Sequence, residues 1–197
     1  MPVPPTVGTR TVDNPLALRA FAHPLRRKLY GLIAREGTLT SADASRLLNI
    51  SHGLASHHIR QLAKYGFVEA AGTTDARAHP WRVTSTSFRI EATDPDSRAP
   101  ADLLEQHTVE QAAHDLSDWQ NRRQNEDERW HALPGTRESL LYLTPDELRD
   151  VLDQWTRIVE PLANRRPIGH HDRRPDDAAP IAFTLVAVPL QRTEHGG

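Results

Sequence analysis

The chain has 197 residues, 38% of them hydrophobic, and no cysteine, which excludes disulfides, thiolate zinc sites, iron–sulfur clusters and thiol redox sensing. That length suits one large domain or two small ones, burying roughly 70% of the unfolded surface. The net charge of −2 conceals an asymmetry. Residues 1–90 hold 12 Lys and Arg against 5 Asp and Glu, a net of +7, whereas residues 91–197 hold 12 Arg against 21 acids, a net of −9. A basic half joined to an acidic half suggests that one end faces a polyanion. Residues 1–15 contain four prolines and no apolar signal core, and the longest apolar stretch, Ile181 to Leu190, is about half a membrane span. A soluble, cytoplasmic protein with no membrane partner is expected.

In chain order, residues 1–13 lack any period and read as a disordered arm. Asp13 or Asn14 can cap a helix that has Pro15 in its first turn. Pro24 starts a second helix, in which Leu25, Leu29, Leu32 and Ile33 repeat along one face until Gly37. Thr40 with Asp43 matches a capping box, and the short helix after it is expected to bury Ala44, Leu47 and Leu48. Ser51 caps the next helix, which runs to about Tyr65. Phe67 to Thr73 and Trp81 to Ser85 read as two strands around a polar loop. Short helices followed by a two-stranded ribbon define a winged helix-turn-helix domain over residues 14–90.

Residues 91–100, EATDPDSRAP, read as an acidic linker before a helical domain over 101–197. Between Asp102 and Trp130 a seam runs through Val109, Ala112, Leu116, Trp119, Arg123, Glu126 and Trp130. Thr144, Pro145 and Glu147 signal another helix start, and Leu148, Leu152, Trp155, Val159 and Leu162 follow at alternating steps of four and three. Ile181 to Leu190 reads as a lone apolar strand. The predicted fold class is mainly α with a small β wing, a helical dimerisation domain following the winged helix.

The sharpest segment is NISHGLASHHIRQLAKYGFV, Asn49 to Val68. Leu54, Ala55, His58, Ile59 and Leu62 share the arc expected to face inward. His52, Gly53, Ser56, His57, Arg60 and Lys64 then face outward, and with the cap Ser51 they form a surface suited to a DNA major groove. Arg60 suits guanine or phosphate, Ser56 either, and Lys64 phosphate.

These residues carry a resemblance. His23-Pro24 opening the second helix, the run from Ser51 to Leu62, and Gly66-Phe67-Val68 leading into the ribbon resemble the ArsR-type winged-helix regulators over residues 14–85. The resemblance implies a dimeric, usually repressing protein that binds double-stranded DNA, with a wing touching the minor groove. Arg77 and His79 would lie in that wing and Arg82 on its return strand. The chain after residue 85 is longer than the single closing helix usual in that family, so effector and dimer details do not carry over.

Eleven histidines raise the question of metal. They form no convergent set: His107 and His114 lie seven apart, His57 and His58 are adjacent, and His170-His171 falls in a polar loop. No metal site and no cofactor are expected. An aromatic pocket built from Trp119, Arg123, Trp130 and Trp155 would be a plausible small-molecule site, but residues at that spacing equally form a helical core or dimer seam. No glycine-rich phosphate loop, nucleophile elbow or H-E-x-x-H motif occurs, so an enzyme is not expected. The expected function is a bacterial transcriptional regulator binding an inverted repeat as a homodimer. A metabolite-responsive regulator and a winged-helix protein-interaction module remain as alternatives.

Overall fold

The computed structural model describes residues 9–72, 79–165 and 175–191. The chain divides into two compact units, one of Met1–His107 with Thr136–Pro180 and one of Thr108–Gly135 with Ile181–Gly197.

The first unit begins with β1 (Arg10–Val12), followed by helices α1 (Pro15–Phe21), α2 (Pro24–Glu36), α3 (Ser41–Leu48) and α4 (His52–Lys64). Each helix start has a local cause. The Asn14 side chain accepts from the Leu16 and Ala17 amides at 2.9 and 3.2 Å, with Pro15 supplying a preset first turn. His23 caps α2 in the same way, its Nδ1 accepting from the Leu25 amide at 3.2 Å. Thr40 and Asp43 form the expected reciprocal box on α3. Gly37 ends α2 at φ 83°, a conformation costly for any residue with a Cβ.

Strands β2 (Val68–Ala70) and β3 (Trp81–Val83) form the antiparallel wing, with Val68 opposite Val83 and Glu69 opposite Arg82. Leu39 adds a bridge to Trp81, tying the wing to the α2–α3 connection. The core lies between α1, α2, α4 and the strands, where Leu18, Phe21, Leu29, Ile33, Ile59, Leu62 and Phe67 are fully buried. The Phe21 and Phe67 rings stack at 4.3 Å, and Phe88 meets them at 5.0 and 5.8 Å. Beside them Tyr30 donates to the Ser85 carbonyl, and burial pushes its phenol pKa up.

Several expectations are corrected. Within the segment read as a disordered arm, Arg10–Val12 forms β1, parallel to β4 (Phe88–Ile90). Val12 is buried there, and Arg10 donates to the Gly66 and Tyr65 carbonyls while its guanidinium lies 4.5 Å from the Phe67 ring centre. Of the expected linker over residues 91–100, residues 91–94 lie outside any helix while 95–100 form the first turns of α5 (Pro95–Arg122), where Asp94 accepts from the Ser97 amide at 3.0 Å and anchors the start. Nor does one helix continue to Trp130. After α5 come two single 3-10 turns, Arg123–Asn125 and Glu128–Trp130, so Arg123 and Glu126 leave the α-helical seam. Glu126 instead pairs with Arg122.

Helix α6 (Pro145–Arg165) starts at the predicted capping box, with Thr144 and Glu147 bonded reciprocally. It belongs to the first unit, where Asp153 lies 3.7 Å from Arg89 and Glu160 accepts from the Thr9 amide at 2.9 Å. Ile181 to Leu190 adopts no sheet pairing and is exposed throughout, contrary to the expected strand. No helix among the described residues is long and apolar enough to cross a membrane.

Candidate nucleic-acid interface

Helices α3 and α4 are joined by Asn49, Ile50 and Ser51, the short turn of a helix-turn-helix. Asn49 takes the left-handed conformation at φ 50°, which asparagine tolerates better than most residues. The Ser45 hydroxyl braces this turn by donating to the Ile50 carbonyl at 2.6 Å. Ser51 then caps α4, its hydroxyl accepting from the Leu54 amide at 3.2 Å. A three-residue turn stiffened at both ends fixes the angle at which α4 is presented.

Ala55, His58, Ile59 and Leu62 bury one side of α4. On the opposite side Gly53, His57, Arg60 and Lys64 recur at steps of four, three and four, and all four are exposed. His52 is also exposed and Ser56 half-buried. Thus Gly53, His57, Arg60 and Lys64 of the expected outward set share one accessible helix face. The Lys64 ammonium lies 5.4 Å from the Tyr65 ring centre, a cation–π contact at the exposed end of the helix.

Two residues depart from the expected inward arc. Leu54 is 41% exposed and Leu47 is 59% exposed. Leu54 sits one helical step beyond the buried arc, so a helical wheel drawn on Ala55 and Ile59 would have placed it at the margin. It adds an apolar group to the first turn of α4, of the kind that meets a thymine methyl. Gly53 also gains meaning here: a Cβ built on it meets nothing within 4 Å. The chain's own packing therefore does not require glycine, although glycine in a helix costs about 1 kcal/mol relative to alanine.

On the wing, His79 is exposed. Arg82 is held across the ribbon by Glu69, with its Nε donating at 2.8 Å, and this partner partly neutralises it. Arg77 lies outside the described residues, as do His170 and His171.

On the buried side of α4, His58 meets His23, and its ring also borders that of exposed His57. The His58 ring is 4.7 Å from that of His23 and 5.2 Å from that of His57. His58 is only 8% exposed, and its Nδ1 has no hydrogen-bond partner among the described residues. Burial, then the nearby His23, Arg26 and His57, lower its pKa below the usual histidine value. His23 is lowered by burial and by Arg26. In both, the surroundings favour the neutral ring over the charged one. Among the described residues no three His, Asp or Glu side chains come together as metal ligands.

Of the aromatic set, Trp119, Arg123 and Trp130 lie in the second unit and Trp155 in the first. The Arg122 guanidinium stacks 5.1 Å from the Trp119 ring centre, and the buried Trp119 Nε1 has no partner among the described residues. A cleft of about 280 Å³ occurs elsewhere, between the α1–α2 corner and α5, lined by Arg19, His23, Arg26, Leu103 and His107.

A helix-turn-helix core, a ribbon wing and an exposed polar face on the second helix of the motif define a winged helix-turn-helix domain of the architecture used by DNA-binding transcriptional regulators. A family model described as Helix-turn-helix domain matches residues 21–70. No curated protein matches the sequence. Among solved structures, a mutant of Lactococcus lactis ZitR in apo form is 15% identical, covering 72% of this chain and 83% of that one with a TM-score of 0.34. The adhesin competence repressor AdcR from Streptococcus pyogenes is 19% identical over 71% of this chain and 80% of its own, with a TM-score of 0.34. A mutant MarR from E. coli, complexed with operator DNA, is 17% identical over 73% and 83%, with a TM-score of 0.32.

Proposed function

We propose that this chain is a sequence-specific DNA-binding transcriptional regulator of the ArsR-like kind, a homodimeric repressor acting in the bacterial cytoplasm. One observation carries the proposal: Gly53, His57, Arg60 and Lys64 form a single exposed stripe on the second helix of the helix-turn-helix, while the opposite face of that helix is buried. Inserted in a major groove, the stripe brings Arg60 to a guanine edge and Lys64 to a phosphate, with Gly53 permitting close approach. A net charge of +7 over residues 1–90 supplies attraction to the backbone. Repression follows if a bound dimer occludes polymerase.

Capture from a pool of random duplexes, repeated across a salt series, tests this. Enrichment of an inverted repeat by the wild-type chain, with relaxed base preference in Arg60→Ala, is the expected result. Uniform capture by both proteins would indicate a non-specific binder, and no capture at low salt would favour a protein-interaction module.

The cleft beside His23 favours a second reading, in which binding is ligand-responsive. His23 touches both this cleft and His58 on the buried side of α4, so an occupant that moves His23 would disturb the seat of the recognition helix. A metabolite acting there would change DNA affinity, and DNA would change metabolite affinity by the same factor.

A further inference from the structure

Helix α6 carries an apolar stripe with an unusual internal symmetry. Leu148, Val151, Leu152, Trp155, Ile158, Val159 and Leu162 lie on one side of the helix, at offsets of −7, −4, −3, 0, +3, +4 and +7 from Trp155. Reversing the helix about Trp155 thus superposes the stripe on itself. None of these residues is buried; Ile158 is 62% and Leu162 49% exposed. Two contacts of α6 with the rest of its unit are made by Asp153 and Glu160, which at 100° per residue point well away from the stripe. These two anchors lie on the polar flank, while among the described residues Val151, Leu152, Ile158 and Leu162 of the stripe are exposed and Leu148, Trp155 and Val159 half-buried.

A stripe that maps onto itself under reversal is what an isologous two-fold contact needs, because each residue must meet its symmetry mate. From this we infer that α6 pairs antiparallel with α6 of a second copy of the chain, the two-fold axis passing at Trp155. Leu148 then meets Leu162 of the second copy, Val151 meets Ile158, Leu152 meets Val159, and the two Trp155 side chains meet at the centre. Charge agrees with this direction. Glu147 and Arg165 border the stripe on the same side, 18 positions apart, so antiparallel pairing brings Glu147 close to Arg165 of the second copy at both ends. Parallel pairing would hold those charges roughly 27 Å apart along the helix axis. Opposed helix dipoles add to the preference. This inference rests on the homodimer in the functional reading and assigns its seam to α6.

The absence of cysteine makes the test direct, because any introduced cysteine is the only thiol in the chain. Under mild oxidation Trp155→Cys should form a covalent dimer, since a residue on the two-fold axis faces its own copy. Leu148→Cys and Leu162→Cys should each stay uncrosslinked alone and crosslink when mixed. In solution the wild-type chain should have twice its 22.1 kDa mass, and Leu152→Asp with Val159→Asp should halve it with unchanged circular dichroism, because Leu152 is exposed and Val159 only half-buried within the chain. Crosslinking of Leu148→Cys alone would overturn the antiparallel arrangement. A dimeric mass in the double-aspartate variant would overturn α6 as the seam. Capture of an inverted repeat by a chain that fails these tests would leave DNA reading intact and place the seam elsewhere. Successful crosslinking without DNA capture would do the reverse.

Discussion

Helices α4 and α6 are both amphipathic, yet one is finished within the chain and the other is not. On α4 the apolar side is covered by α2, Phe67 and the aromatic cluster, and its polar side is the exposed one. On α6 the polar flank meets the rest of its unit, and among the described residues Val151, Leu152, Ile158 and Leu162 of the apolar side are exposed. Periodicity states which face of a helix needs cover but does not say whose atoms supply it. In α4 the supplier is the same chain, so the exposed residues are those free to read a ligand. In α6 the exposed residues are the ones that seek burial.

The largest expected effect breaks this comparison most plainly. Phe67→Ala, in the middle of the aromatic stack, should cost about 3–5 kcal/mol of folding stability in urea titration. Leu152→Ala on α6, measured at concentrations where the chain is monomeric, should change stability by less than about 0.5 kcal/mol. Equal losses would mean that α6 is packed into the chain after all.

Next in size is the division of labour on α4. Arg60→Ala should lower discrimination between the preferred and altered sites by about 1–3 kcal/mol, measured as a ratio of affinities. Lys64→Ala should weaken binding to all duplexes alike and reduce the slope of log affinity against log salt by about 1. If the two variants behave identically, the α4 stripe does not separate base reading from phosphate contact.

Gly53→Ala should move folding and binding in opposite directions. The helix gains up to about 1 kcal/mol in thermal unfolding, because open space surrounds the added methyl. DNA affinity should fall, because that methyl occupies the approach to the groove. A variant that is both more stable and equally tight would show that Gly53 has no role at the interface.

The smallest effect concerns pH. The native pKa of His58 is lowered from 6.5, so the unfolded chain binds more protons in the window just below that value. Stability should therefore decline as pH falls through about 6.5, and flatten once pH is below the native value. His58→Leu should reduce this slope, leaving the contribution of His23, whose pKa is also lowered. An unchanged slope in urea midpoints between pH 7 and 5 would mean that buried His58 is not what couples protons to folding.

The parts of the molecule legible in the sequence are those whose causes are local. The Asn14, Thr40 and Ser51 caps, the Pro15 and Pro24 starts and the Gly37 stop each act within a few residues. The outward stripe of α4 was legible for the same reason. Strands β1 and β4 were not, because three residues pair with three others across 78 positions and carry no alternation long enough to notice. The side chain of Arg10 reaching two carbonyls behind Phe67 likewise depends on where the chain returns. Leu47 and Leu54 were misplaced since both sit at the margin of a stripe, where one helical step separates core from solvent. At Ile181 to Leu190, apolar composition without a visible partner could not specify a sheet.

The most direct test of the central claim is methylation interference on the captured site. N7 methylation of guanine blocks the major groove without altering the phosphates. If α4 enters that groove, interference should appear in two symmetric half-sites about 10–10.5 base pairs apart, and Arg60→Ala should abolish it at one guanine per half-site. Interference from phosphate ethylation alone, with guanine methylation tolerated throughout, would contradict base reading by α4.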